Sequence, residues 1–359
     1  MLFLSPGTVH GDDWYKDEEG YFTVYDENNE ELFVTAREVF IGDQYLSEDN
    51  KLYQVVKSDM LKNQAWAKFV EDVELPDVDL EDGDSLTAMA QQLNRKVALY
   101  ASHNSECYVP TDGTQAKEGR GGILDVASTM AEAFKKRNVD AVLDETFHDP
   151  HDAGSYRRSR ETAVQLIREH QPGAVFDVHR DAVPAEAYIT QINGDNAAKV
   201  RLVIGRRNQN RQVNEELAKK IKAVADKKYP GLIKDIFYGR GNYNQELSPR
   251  SLLVEIGTYS HTKERAQKSA DLFADVVTTA MFGGVAQDRK APERQVRVPG
   301  MEGDSEGAGR GILWAVLIVA GAAVAFLFIS NSGKELRSKM RNFSRQEFGS
   351  FLGRNKKKK

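Results

Sequence analysis

"KVALYASHNSEC" (96–107) is followed by "GGILDVASTMAEAFKKRN" (121–138) and "VDAVLDET" (139–146), and this succession decides the fold class. The first stretch begins as a continuous apolar run of strand length. The second opens on Gly-Gly and carries apolar residues at helical spacing. The third is again a short apolar strand. The alternation continues outward: "SYRRSRETAVQLIREHQP" (155–172) is a helix stopped by Pro172, and "AVFDVHRDA" (174–182) is a third strand. "AYITQIN" (187–193) and "VRLVIG" (200–205) are further strands, and "NRQVNEELAKKIKAVADKKYP" (210–230) is a long helix ending at Pro230. "SLLVEIGTYS" (251–260) is a late strand, before a helix from Lys263 to Met281. The order predicts an α/β domain over 96–282, with a mixed or mainly parallel central sheet flanked by helices. In such sheets, sites gather where strands end and loops begin.

Before this domain, residues 1–70 read as short strands and turns. "YFTVYDENNEELFVTA" holds two alternating runs split by an acidic Asn-Asn turn, and "KLYQVVK" is another strand. The expectation is a small β-rich, barrel-like module with no chemistry of its own. Residues 71–95 are expected to be an acidic linker, since "EDVELPDVDLEDGD" places eight carboxylates in fourteen residues.

After the domain, residues 283–311 are rich in Gly, Pro and charge and are expected to be a flexible linker. "ILWAVLIVAGAAVAFLFI" (312–329) then runs eighteen residues without a charge. At about 1.5 Å per residue it spans roughly 27 Å, enough for a bilayer core, so a transmembrane helix is predicted. The tail, 330–359, is basic and ends in "RNKKKK". The chain of 359 residues has a net charge of −5, which hides a tail of +8 on a body of −13. Such an acidic body excludes nucleic acid as a partner. The basic tail predicts a cytoplasmic C-terminus and a catalytic body on the outer face of the cell membrane. The opening "MLFLSPGTVHGDD" lacks the basic n-region of an export signal, and so gives this topology no support.

The residues that carry chemistry sit at strand ends. His103 and Glu106 follow the first strand, His179 follows the third, and Glu255 lies in the late strand. Two imidazoles and a carboxylate leave Zn²⁺ an open fourth position, the arrangement of a catalytic rather than a structural site. A further carboxylate must then move the proton. Glu255 suits that role, because an apolar strand would hold its proton more tightly. The single cysteine, Cys107, excludes an internal disulfide and fits a cytosolic or an exported bacterial protein. As a nucleophile it would need a base and an orienting partner, so it is read as a neighbour of the site.

"HNSECYVPTDG", "GRGGILDVA", "HDPHDAGSYRRSRETA", "FDVHRDA", "GRRNQN" and "FYGRGNYNQELSPRSLLVEIG" occur in the order seen in the stage II sporulation protein P family. The chain resembles that family over about residues 96–282. The resemblance implies a membrane-anchored cell-wall hydrolase, similar in fold to zinc N-acetylmuramoyl-L-alanine amidases. Such enzymes act on peptidoglycan, at the amide joining the glycan's lactyl group to the stem peptide, with some members also cutting peptide cross-links. It implies His103 and His179 as zinc ligands and Glu255 as the catalytic carboxylate. Glu106 is the preferred third ligand, and His148 competes for that place. His151 is read as a loop histidine.

For substrate binding the candidates are Arg157 and Arg160, spaced to clamp carboxylates from one helix start, together with His148, Arg180 and Asn242. Tyr243 and Gln245 are groove-lining candidates. Partners expected are peptidoglycan, the membrane through the C-terminal helix, and other wall hydrolases. The anchor departs from the family pattern, in which a helix precedes the enzyme, and this opens wall-remodelling tasks other than sporulation. Two alternatives stand beside the amidase: a non-catalytic wall-binding scaffold and a zinc carboxypeptidase.

Overall fold

Apolar runs of strand length that leave no polar face fit strands covered on both sides, and this is how the middle of the sheet is built. The computed structural model of the protein describes residues 20–78, 80, 94–152 and 154–283. The predicted transmembrane helix at 312–329, the linker expected at 283–311 beyond its first residue, and the basic tail lie outside them. Among the described residues, no helix is long and apolar enough to cross a membrane.

The first five strands are β1 (Phe22–Tyr25), β2 (Glu31–Thr35), β3 (Gln44–Leu46), β4 (Lys51–Asp59) and β5 (Gln64–Asp72). They are followed by β6 (Lys96–Tyr100), β7 (Asp140–Leu143), β8 (Ala174–Asp181), β9 (Ile189–Ile192), β10 (Asp195–Ala198), β11 (Val200–Gly205), β12 (Ile233–Gly239) and β13 (Ser251–Thr258). Four helices of eight or more residues are present among the described residues: α1 (Ile123–Lys136), α2 (Ser155–His170), α3 (Arg211–Lys228) and α4 (Lys263–Phe282).

Eleven strands form one mixed sheet in the order β2-β1-β5-β4-β3-β12-β11-β13-β8-β6-β7. Its β7-β6-β8-β13 portion is parallel, as the strand–helix alternation predicts. β11 runs antiparallel to β13 and parallel to β12. All eight residues of β8 and all eight of β13 are buried.

The N-terminal strands are not a module of their own. β3 pairs antiparallel with β12, Tyr45 opposite Phe237, so they extend the same sheet. The start of the acidic segment is not a free linker either: Val73 and Leu75 pack on the main core and Val78 is buried within it.

Because side chains alternate along a strand, each face has its own set. On one face Leu99, Phe176, Val178, Leu202 and Val254 pack beneath α1, α3 and α4, with Phe134 stacked 6.1 Å from Phe176. Burying such a side chain stabilises the fold by about 1.5–3 kcal/mol. On the other face Val203, Phe237 and Leu253 meet the N-terminal Phe22, Phe33 and Tyr45. Ala98, Tyr100 and Val175 meet Ala163 and Leu166 of α2 on this second face. Asp177, His179 and Glu255 share its parity, so they project between the N-terminal strands and α2.

Candidate metal centre and its carboxylates

The chain leaves β6 at Tyr100 and turns through residues 101–108, every one of them buried. The turn is rigid because its backbone is clasped from α1. Gly121 N–H donates to Asn104 O at 2.9 Å and Ile123 N–H to Glu106 O at 3.0 Å. A Cβ at Gly121 would collide with the backbone of Ser105 and Glu106, which explains the Gly-Gly opening of this helix. Glu106 N–H donates back to His103 O at 3.1 Å, so imidazole and carboxylate emerge from one tight loop.

β8 delivers His179 to the same place. Glu106 Oε1 lies 3.5 Å from His179 Nδ1 and 3.8 Å from His103 Nδ1. The rings of His103 and His179 stand perpendicular with centroids 5.0 Å apart. Behind His179, Nε2 is 3.0 Å from Asp177 Oδ1 and 2.9 Å from Ser102 Oγ. Asp177 is fixed in turn by Ser102, whose N–H and Oγ–H donate to it at 2.8 and 2.7 Å. A carboxylate on one ring nitrogen is how a metal-ligating histidine is oriented through the other.

The electrostatics follow from this crowding. Burial disfavours a charged His179, but Asp177 and Glu106 outweigh it and raise its pKa to about 9. Burial likewise pushes Glu106 up, yet His179 and Arg180 hold it down at about 2. His103 is held well below its ordinary range by burial and by the neighbouring His151 and His179. These are ionised oxygen and imidazole donors packed together, a set that suits a divalent ion of the zinc type.

His151, expected to be a loop histidine, belongs to this cluster. Donor atoms of His103, Glu106 and His151 all lie within 4.8 Å of one another. Its ring stacks on His103 with centroids 4.7 Å apart, and its Nδ1 meets Ser105 Oγ at 2.9 Å. His148, the competitor for the third ligand place, does not. It turns inward, with Nδ1 2.9 Å from Ala101 O and Nε2 2.9 Å from Thr162 Oγ1, so one nitrogen is tied to the turn after β6 and the other to α2. Its role as ligand or substrate contact is thereby corrected to a structural one.

Arg180 is corrected in the same sense. It is buried, its N–H donates to Glu106 Oε2 at 3.0 Å, and its guanidinium donates to Cys107 O and Gln115 O at 3.3 and 2.9 Å. It holds the carboxylate rather than facing a ligand. Cys107 is buried beside it, and burial raises its thiol pKa, the opposite of nucleophile activation.

Glu255 is buried in its apolar strand, as expected, and is paired there. Arg37 Nε donates to its Oε1 at 2.6 Å, Tyr188 O–H donates to Oε2 at 3.1 Å, and Arg201 Nη1 lies 3.7 Å from Oε2. Its Cα is the direct partner of His179 across the β13–β8 pair.

Buried residues of α2 are Ser155, Tyr156, Ser159, Thr162, Ala163 and Leu166, so Arg157 and Arg160 fall on the exposed side. Arg160 pairs with Glu246 there. From the same helix it is Tyr156 that reaches the centre. Its ring meets His103 edge-on at 5.2 Å and lies beside His179 at 6.3 Å. Gln245 is buried and committed to Gly205 N–H and Val203 O, while Asn242 is half-buried. Tyr243 packs on Tyr156 at 5.5 Å. Sequence reasoning missed Arg37, Ser102, Tyr156, Asp177 and Tyr188. Asp177 alone left a signal, two positions before His179 and on the same face of its strand.

A family model described as Stage II sporulation protein P matches residues 16–278. The chain belongs to that family. The match begins within the N-terminal β-rich segment, well before the portion whose motifs resemble the family. The Stage II sporulation protein P of Bacillus subtilis (strain 168) is 28% identical over 198 residues, which are 50% of this chain and 49% of that protein. The alignment therefore spans about half the length of that curated relative.

Among solved structures, this SpoIIP-family chain is similar to the CwlD amidase from Clostridioides difficile, solved in complex with the GerS lipoprotein. The two are 14% identical with a TM-score of 0.36, over 53% of this chain and 95% of that one. It is also similar to the catalytic domain of CwlV, an N-acetylmuramoyl-L-alanine amidase from Bacillus (Paenibacillus) polymyxa var. colistinus. That pair is 16% identical with a TM-score of 0.32, over 51% of this chain and 96% of that one.

Proposed function

We propose that this chain is a zinc-dependent peptidoglycan hydrolase that cuts the amide between N-acetylmuramic acid and L-alanine of the stem peptide. It acts in sporulation or a related wall-remodelling step. Family membership supports the biological setting. One observation carries the chemistry: His103, Glu106 and His179 converge from two parallel strands, with Asp177 behind His179.

His103, Glu106 and His151, whose donor atoms all lie within 4.8 Å of one another, would hold the ion together with His179, which stands 3.5 Å from Glu106. Zinc, when bound, supplies a water acidified to a pKa of roughly 7 and a Lewis acid for the scissile carbonyl. The chain's own groups do the remaining work. Asp177 and Ser102 keep the His179 ring turned toward Glu106. Arg180 holds Glu106 ionised in a water-poor pocket, where a charged ligand is strongest. Glu255 takes a proton and delivers it to the leaving amine. Arg157, exposed one residue beyond Tyr156, and Asn242 are the candidates to meet the stem peptide, with Arg160 beside them. The uncharged run 312–329 supports attachment to the membrane by one helix, with the basic tail in the cytoplasm and the catalytic body outside.

The test is digestion of purified sacculi by the zinc-loaded chain, with mass analysis of the fragments. Stem peptides with a free L-alanine amine are expected, and the glycan should keep its lactyl groups as free carboxylates. Released single amino acids with the lactyl amide whole would identify a carboxypeptidase instead. Intact sacculi would sink the enzymatic reading.

A further inference from the structure

The end of β2 and the segment following it cross the sheet face that carries Asp177, His179 and Glu255, and they are bound there at four points. Arg201 donates to Val34 O at 3.3 Å, and Ala36 N–H donates to Asp181 Oδ1 at 3.0 Å. Arg37 Nε donates to Glu255 Oε1 at 2.6 Å and its Nη1 to Tyr156 O–H at 3.2 Å. Arg37 is 4% exposed, and its guanidinium lies 5.2 Å from the centroid of the Tyr243 ring.

Charge compensation alone does not account for this arrangement. Arg201 and Tyr188 already serve Oε2 of Glu255 from the sheet side. Arg37 addresses the other oxygen and links it to Tyr156, the ring that packs on His103 and His179. A planar guanidinium bonded through two nitrogens fixes direction as well as charge, which lysine does not do. The carboxylate and the imidazole cluster are thus held to one another by a residue from the N-terminal strands.

We propose that Arg37 is a positioning residue for Glu255, and that the N-terminal β segment completes the active site. This rests on the reading of Glu255 as the acid–base group of the hydrolase. Displacing a reacting group by an ångström costs on the order of 10²-fold in rate.

The test uses the full zinc-loaded chain and a soluble muropeptide, with kcat, KM, bound zinc and thermal midpoint measured for each variant. Arg37→Met should lower kcat by roughly 10²-fold, leaving KM and zinc content unchanged. Arg37→Lys should fall between it and the unaltered chain. Combined with Glu255→Gln it should cost no more than Glu255→Gln alone, because groups that act as a unit are not additive. Unchanged kcat in Arg37→Met, or losses that multiply in the double variant, would overturn the positioning role. Should Arg37→Met not fold, Arg37→Lys decides: a lower kcat at an unchanged midpoint supports the role, and an unchanged kcat overturns it. An unaltered chain that leaves the muropeptide whole overturns the hydrolase reading, and the role of Arg37 with it. An active chain with indifferent variants overturns only the latter.

Discussion

Arg37 and Glu255, 218 positions apart in the chain, meet at 2.6 Å with both side chains buried. The contact exists because β3 adds to the edge of β12 and carries the N-terminal strands over one face of the sheet. On that face Asp177, His179 and Glu255 are buried from water. The resulting centre is dry, charged and densely hydrogen-bonded, and its parts are expected to respond differently to substitution.

Asp177 is the clearest outer partner. It grips His179 Nε2 while Ser102 grips it. Asp177→Asn keeps the shape and removes the charge, so zinc affinity should fall about 10–100-fold with the fold retained. Competition titration against a zinc chelator reads this directly. Unaltered affinity would mean that His179 is held by something else.

His148 and His151 lie three positions apart and should behave in opposite ways. His151→Ala removes a donor from the cluster and should weaken zinc binding about tenfold or more, which is about 1.4 kcal/mol. His148→Ala leaves a buried carbonyl and the Thr162 hydroxyl without their partner. It should cost about 1–3 kcal/mol of stability and leave zinc affinity intact. Urea unfolding and zinc titration of both variants separate the roles, and a reversed pattern would exchange the two assignments.

Those two histidines also mark the limit of what the sequence disclosed. Nothing local distinguishes them; what does is that His148 turns in against Thr162 of α2, while His151 stacks on His103. The strands at 96, 174, 200 and 251 were legible because their apolar runs are long, and His103, Glu106 and His179 because polar groups end those runs. β12 was not legible. Lys234 and Asp235 interrupt its apolar pattern; Asp235 is buried against Arg201, and Lys234 is buried against Asp235. Since β12 is where the N-terminal strands dock, missing it made that segment look like a separate module. No pattern around Arg37 announces a carboxylate so far along the chain.

The same crowded charges set a pH dependence in the metal-free protein. His179 is raised from an ordinary 6.5 to about 9 by Asp177 and Glu106, against the opposing effect of burial. Its contribution to stability is therefore complete below pH 6.5 and is lost as pH climbs through 9. Glu106 is lowered from 4.5 to about 2, so its contribution holds above pH 4.5 and is lost only as pH falls through 2. With chelator present, the thermal midpoint should decline between pH 7 and pH 9, and His179→Gln should flatten that decline. Zinc binding at pH 7 should release a proton, because the ligating imidazole must be neutral. Calorimetric titration in buffers of different ionisation enthalpy measures it, and a proton count of zero would contradict the pKa order.

Arg201 tests the buried network on which Glu255 rests. It is wholly buried, forks onto both oxygens of Asp235 at 2.7 and 3.0 Å, and reaches Asp181 at 3.2 Å. Arg201→Met leaves three carboxylates, those of Asp181, Asp235 and Glu255, without their shared cation, although Lys234 still reaches Asp235 at 2.9 Å. Removing one partner of such a cluster costs about 3–5 kcal/mol. The surface pair Lys51–Asp49, with side chains 44% and 61% exposed, offers the contrast, since solvent screens an exposed pair and leaves it little to lose. Urea unfolding of Arg201→Met and Asp49→Ala side by side should separate the two by several-fold. Equal losses would show that Arg201 is dispensable to the fold, and that Tyr188 and Arg37 alone are enough to hold Glu255 in place.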